Sequence, residues 1–214
     1  MNEQTRAWLV RPYPHGNHRL KEFREMGIVA VGWPEIGDLT GKSRQELKTL
    51  LSGAPYDLEG LSLGNAYATI DIFVNQMQPG DLVLVPDGDD IYLGELTSGY
   101  RLEQSVDNQT DGYPHQRSVS WFPVNVSRQE LSMELRSSLK VHRTTANLSR
   151  HAEEIDALAH GRPFVPGETE APGSISVSYP LRPGRNIEFT IPNDITKTEA
   201  QRLSAYFASL YFTE

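Results

Sequence analysis

The chain contains no cysteine, which excludes disulfides and thiolate metal sites. No apolar run reaches the length of a membrane-spanning helix, and the first residues lack the pattern of a secretory signal. A cytoplasmic protein without a membrane partner is the expectation. Internal repeats and low-complexity tracts are missing, as are a Gly-x-Ser-x-Gly elbow and a glycine-rich loop for phosphate. An excess of positive charge is missing too. Lys and Arg number 20 against 28 Asp and Glu, for a formal net charge of -8. Such a balance argues against coating nucleic acid by charge alone.

What is present is organised around Gly27-Ile28-Val29-Ala30-Val31-Gly32-Trp33-Pro34. A continuous run of mostly β-branched residues bounded by Gly and Pro reads as a buried strand. Trp33 follows that strand directly. It either plugs the end of a barrel or holds its ring at the edge of a cleft. Two stretches concentrate basic residues: Arg11, Arg19, Lys21 and Arg24, and further on Arg136, Lys140, Arg143 and Arg150 with His142 and His151. They form either a groove that tracks a nucleic-acid backbone or ordinary solvated faces.

The 214 residues suffice for one domain with an appendage. Trp8-Leu9-Val10 opens a strand. Leu20, Phe23 and Met26 line one face of a short helix, with Gly27 as its C-terminal cap. Ser43-Arg44-Gln45-Glu46 is a capping box, and Asn65 caps the following helix, whose buried stripe is Ile70, Phe73, Val74 and Met77. Asp81–Pro86 and Ile91–Leu96 are the arms of a hairpin turning at Asp87-Gly88-Asp89-Asp90. Gly99–Gly112 is a long polar loop, and Ser118–Val124 is a strand. Ser127-Arg128-Gln129-Glu130 starts another helix, stapled by Val126 and Leu131 and continued by Leu135 and Leu139. A short helix spans Ala152–Ala159.

Residues 160–174, rich in Pro, Gly and Glu, are the candidate linker. Beyond it, Ile175–Tyr179 and Asn186–Ile191 alternate as a hairpin around Pro183-Gly184. Thr196-Lys197-Thr198-Glu199 then caps a helix with Leu203, Tyr206, Phe207 and Leu210 on its apolar side. Two strands and one helix of this size do not bury themselves, so the tail docks on the main domain or on another chain.

Catalytic constellations are weak. Asp87 with Glu95 has the outline of a nuclease site, but Thr97 stands where the lysine belongs. His15 and His18 lack a third metal ligand at suitable spacing. Neither an enzyme nor a metal or other cofactor is expected. The remaining signal is a set of aromatics at strand ends: Trp8, Trp33, Tyr92, Tyr100, Tyr113 and Trp121. Flat rings at a cleft mouth stack an extruded base, and a nearby Arg or His reads its edge.

The succession Trp8-Leu9-Val10-Arg11, Gly27–Trp33, Gly37-Asp38-Leu39, Gly80-Asp81-Leu82-Val83, Tyr92–Leu96, His115–Trp121 and Leu135–Leu139 resembles the N-terminal module of bacterial restriction-system proteins that carry an Mrr-type nuclease domain. That module is similar to the PUA-like superfamily, which includes the EVE and YTH domains. The resemblance implies an α+β fold. A PUA-like, partly closed β-barrel with flanking helices would occupy residues 1–159, with a C-terminal β-hairpin–helix appendage over 175–214. It also implies a pocket for a base, often a modified one, flipped out of DNA or RNA, with modified DNA the expected partner. Trp33, Trp121 and Tyr92 would wall the pocket, His115 and Arg117 would contact the base edge, and Arg11, Arg136, Lys140 and Arg143 would hold the backbone. The nuclease domain has no counterpart in these residues, so the expectation is a sensor or adaptor in a restriction or defence system. The alternative is an adaptor that engages an effector protein, or a second copy, through 175–214.

Overall fold

The computed structural model describes residues 5–164, 174–182, 185–192 and 195–208. It divides into two units, residues 1–164 and 165–214. The first unit is mixed α and β. Its strands are β1 (Ala7–Val10), β2 (Ile28–Val31), β3 (Leu82–Asp87), β4 (Asp90–Leu96), β5 (Arg101–Leu102), β6 (His115–Ser127) and β7 (Thr145–Asn147). They form one sheet in the order β2-β6-β4-β3-β1-β7, with β5 also on β6. Every pairing is antiparallel except β1 with β3.

The sheet curls into a half-barrel because β6 serves both halves. Its first residues pair with β2 and β5, and its later ones with β4. Within the β4-paired part the register shifts, from Gly94 opposite Trp121 to Tyr92 opposite Asn125. Pro123 lies inside this bulge, where its missing N–H costs no ladder bond. The strand expected over Ser118–Val124 thus extends at both ends.

Alternation sorts the strands onto two buried faces. Trp8, Val10, Val83 and Val85 point to a core shared with Phe23, Phe73 and Val119. Ala7, Leu9, Leu82 and Leu84 point to the opposite core, completed by Leu131, Leu135 and Ile155. Helices α4 (Met133–Ser138) and α5 (Ala152–Ala159) contribute to that second core. A third cluster joins α2 (Arg44–Ser52) and α3 (Gly60–Asp71) to Ile36 and Leu39, with Trp33 and Tyr100 against it. Helix α1 (Leu20–Met26) buries Leu20 and Phe23 and ends in left-handed Gly27, while Met26 faces solvent.

The Ser43–Glu46 capping box forms as expected, with the Ser43 N–H donating to Glu46 Oε2 at 2.8 Å and the Glu46 N–H to Ser43 Oγ at 3.4 Å. Other helix starts differ. Helix α3 begins at Gly60, so Asn65 is interior. The Ser127–Glu130 box caps only a single 3-10 turn, and α4 starts afresh behind Ser132, whose hydroxyl accepts from the Leu135 N–H. The long polar loop holds β5 and a 3-10 turn at Gln104–Val106. Thr145–Asn147, read only as part of a basic stretch, is the edge strand β7.

After α3 the chain widens into a π turn over Ile72–Gln76. Here Arg117 acquires its role. Expected at a base edge, it is 2% exposed. Its guanidinium donates to the carbonyls of Phe73 (2.6 Å) and Val74 (2.9 Å). A helix end leaves such carbonyls without partners, and a cation there also answers the helix dipole. Burial pushes the Arg117 pKa down to about 10, with Asp81 opposing, so it stays cationic at neutral pH.

The second unit contains β8 (Ser174–Arg182), β9 (Arg185–Pro192) and α6 (Lys197–Ala208). Ile175 pairs with Ile191, Val177 with Phe189 and Tyr179 with Ile187, so one face of the hairpin is apolar. Helix α6 touches that face through Phe207, whose ring lies 5.6 Å from Phe189. The expected Pro183-Gly184 turn, most of the expected linker (165–173) and Leu210 lie outside the described residues. Among the described residues, no helix is long and apolar enough to cross a membrane.

Replacing Arg117 by Met strands the Phe73 and Val74 carbonyls in the core. Urea denaturation of Arg117→Met should give a loss of about 1–3 kcal/mol, and Arg117→Lys, which lacks the fork, should recover only part. A variant as stable as the parent would remove Arg117 from this role.

Candidate functional site

Beyond β2 the backbone makes an unusual turn. Trp33 and Glu35 both adopt left-handed conformations (φ 63 for each), and His15, packed beside them, does so too at φ 50. Bulky residues reach this region only against steric resistance, of about 1–3 kcal/mol each. Gly32 makes the close packing possible, since a Cβ there would lie 2.6 Å from the His15 backbone nitrogen.

The strain is held by a buried hydrogen-bond chain. A carbonyl can only accept, so His115 Nε2 carries the proton it donates to the Trp33 carbonyl at 3.1 Å. In the neutral ring Nδ1 then accepts from the Tyr100 hydroxyl at 2.9 Å. The Tyr100 oxygen in turn accepts from the Leu39 N–H at 3.2 Å. His115 is fully buried, and burial pushes its pKa from 6.5 down to about 4. Burial likewise pushes the Tyr100 hydroxyl up to about 12, so both groups are neutral across the physiological range.

The polar loop straps the same turn from outside. The Glu35 N–H donates to Asp107 Oδ1 at 2.6 Å, and the Gln109 side chain donates to the Pro34 carbonyl at 3.1 Å. The Tyr56 hydroxyl donates to that carbonyl at 2.8 Å. His15 Nε2 donates to the Gln109 carbonyl at 2.7 Å. Together these place Tyr13, His15, Trp33, Tyr56 and Thr144 around a cavity of about 250 Å³. Among the described residues, the Trp33 indole N–H, the Tyr13 and Thr144 hydroxyls and His15 Nδ1 have no hydrogen-bond partner, and so remain available to a guest.

Thr144 ends the loop 140–143, which Arg11 organises. The Arg11 guanidinium donates to the carbonyls of Leu139 (2.9 Å), Val141 (2.9 Å) and Arg143 (3.2 Å). Arg11 therefore shapes the loop instead of offering its charge to a ligand. Lys140 and Arg143 project from that loop into solvent, while Arg136 is half-buried on α4 with its Nε enclosed and unpaired.

The five residues expected at one pocket separate. Trp33 lines the cavity, and His115 sits behind it, bonded to its backbone. Trp121 lies six positions along β6 from His115, about 20 Å at strand spacing. It lines a different, larger groove and donates its indole N–H to the Phe23 carbonyl at 3.0 Å. Tyr92 lies half-buried beneath Arg24, 4.8 Å from ring centroid to guanidinium carbon. Arg117 is buried between the two ends. A slot walled by both indoles does not form, because β6 runs antiparallel to β2 and carries Trp121 away from the Trp33 end. Tyr13, Tyr56 and Thr144 were not foreseen as wall residues. Asp87, considered for a nuclease site, pairs with His18 at 3.0 Å.

Residues 8–148 match the family described as a domain of unknown function, DUF8426. The chain belongs to this family. The DUF8426 span contains every residue lining the cavity and the Trp121 groove, whereas α5 and the hairpin–helix unit lie beyond it. No curated protein matches the chain. Among solved structures, protein Atu2648 from Agrobacterium tumefaciens is similar at 12% identity and a TM-score of 0.33, covering 72% of this chain and 93% of that one.

The sign of the pH response follows from His115. Its folded pKa lies below its unfolded one, so the unfolded chain takes up the proton first as pH falls. The stability is intact above pH 6.5 and is lost progressively down to about pH 4. The full loss is about 3 kcal/mol from this residue. Denaturant titrations of the parent and of His115→Gln across this window should differ in slope. Parallel profiles would mean that His115 titrates normally.

Proposed function

We propose that the first unit is a nucleobase-recognition module of PUA-like, EVE-related type, admitting one flipped, modified base of DNA into the Trp33 cavity. In this reading the chain acts as a sensor or adaptor in a bacterial restriction or defence system. The observation that carries the proposal is the braced, left-handed Trp33 on the wall of a small cavity lined by aromatic and unpaired polar groups. Backbone strain maintained by surrounding hydrogen bonds concentrates at ligand clamps.

The chemistry suits a base. At about 250 Å³ the cavity is smaller than the ~300–1,000 Å³ of drug-sized sites, and so suits one ring system better than a whole nucleotide. An indole face supplies stacking worth ~1–3 kcal/mol. The indole N–H, His15 Nδ1 and the hydroxyls of Tyr13 and Thr144 offer donors and acceptors to a base edge. Lys140 and Arg143 stand ready for the flanking phosphates. Extrusion costs a few kcal/mol, least for a weakened pair or an already unpaired strand, which favours altered bases and strands without a partner.

Oligonucleotides containing 5-methylcytosine, 5-hydroxymethylcytosine or N6-methyladenine, compared with unmodified ones by fluorescence anisotropy, test this reading. At least one modified oligonucleotide should bind tighter than its unmodified counterpart. Trp33→Ala should weaken that binding at least about tenfold while still unfolding cooperatively. A folded Trp33→Ala protein that binds like the parent would sink the proposal.

A second reading rests on the hairpin–helix unit, where Ile175, Tyr179 and Leu181 stay exposed on or beside the apolar face. As a protein-interaction adaptor, the chain would engage a partner or a second copy there. Sedimentation equilibrium of the full chain should then show association that Tyr179→Glu with Leu181→Glu abolishes. Identical masses for parent and variant would count against self-association.

A further inference from the structure

A wall residue of the Trp33 cavity touches a wall residue of a second concavity. The Tyr13 ring on the cavity wall lies 5.0 Å from the ring of His18. His18 in turn lines a groove of about 550 Å³ with Leu20, Lys21, Arg24, Glu25 and Trp121. One stretch of chain, from Tyr13 into α1, thus furnishes a wall to both. The groove holds an oriented aromatic ring, since the Trp121 indole is pinned through its N–H to the Phe23 carbonyl. It also holds two exposed cations at i and i+3 of α1, Lys21 and Arg24, which fall on one helix face.

We infer that the groove carries nucleotides a few positions along the strand from the base held at Trp33, and that the ligand is therefore a single strand. This rests on the base-recognition reading. A positively charged track beside an aromatic platform is the arrangement that binds unpaired strands. A base stacks on the Trp121 face only when it has left its own neighbours, which a paired duplex resists. The charges in the groove are modest. Lys21 has Glu25 at 3.9 Å, and His18 pairs with Asp87 at 3.0 Å. Stacking therefore provides most of the affinity, and Lys21 and Arg24 provide direction along the backbone.

The test uses the full chain with single strands of about seven nucleotides, in DNA and in RNA form. Each carries one central 5-methylcytosine, 5-hydroxymethylcytosine or N6-methyladenine, and is compared with the corresponding nucleoside monophosphate and with the duplex. The strand should bind at least about tenfold tighter than either. Lys21→Gln with Arg24→Gln, both exposed positions, should weaken strand binding and lower the slope of log affinity against log salt by about 1.4. Monophosphate binding should be unchanged. Trp121→Ala, where it folds, should do the same without changing the salt slope.

A strand that binds no better than its monophosphate, or a double variant that binds strands like the parent, overturns the groove assignment and leaves the Trp33 reading standing. Tighter binding of the duplex than of the strand overturns it as well. A parent that binds none of strand, duplex and monophosphate overturns both.

Discussion

The hydrogen bond from His115 to the Trp33 carbonyl is the constraint on which the candidate site depends. Trp33 sits in a backbone region that a bulky side chain enters only at a cost. Without a fixed acceptor geometry the turn after β2 has every reason to relax toward extended structure. His115 supplies that geometry from β6, the strand paired with β2. Tyr100 and Leu39 extend the chain of donors into the layer formed by α2 and α3. The orientation of one surface indole is thereby tied to a sheet edge and a helical layer at once. A low-dielectric setting strengthens each bond and penalises any break. It also keeps His115 neutral, because a charged imidazolium buried there would lose its hydration.

The same logic explains why polar residues that look recognition-like end up inside. Buried cores lie on both faces of the central sheet, so the polar groups at the buried start of β6, His115 and Arg117, turn toward backbone that lacks partners. Arg117 meets the open carbonyls of the π turn, and His115 meets the strained turn. Arg11 does similar work outside the sheet, gathering three carbonyls so that the 140–143 loop stands beside Thr144. Arginine suits both places because its planar fork reaches several acceptors and keeps its charge despite burial. In each case a cation completes a frame, and a different side chain on that frame faces the solvent.

What the sequence made legible was local. The β-branched run before Trp33, the Ser43 capping box, the hairpin of β3 and β4 and the Thr196 box at α6 rest on neighbours within a few residues. Their physics is contained in short spacing rules. That Trp33 stands just past the end of β2 was legible for the same reason, since a Gly before and a Pro after mark where the strand must stop. The separation of Trp33 from Trp121 was not legible. It depends on which residue of β6 lies opposite which residue of β2, a register set by sheet-wide packing. Arg117 hid for a related reason. Nothing near it announces that a π turn more than forty residues earlier will present two carbonyls to it. Asn65 misled because a good capping residue was given weight over the apolar pattern upstream, where Leu63 continues the packed stripe.

Charge decides what kind of recognition this frame can support. With a net charge of -8, the whole-molecule field opposes approach to a polyanion, and long-range attraction does not gather nucleic acid at the surface. The available cations are few and local: Lys140 and Arg143 beside the cavity, Lys21 and Arg24 along the groove. Counterion release from so few contacts gives a weak, salt-sensitive contribution. Affinity on the proposed reading must therefore come from filling the cavity and covering the exposed rings. Backbone contacts carry no information about base identity, whereas stacking and edge contacts do. On that reading, a site starved of the former and furnished with the latter would discriminate strongly even when binding only moderately, the property a sensor of rare altered bases requires.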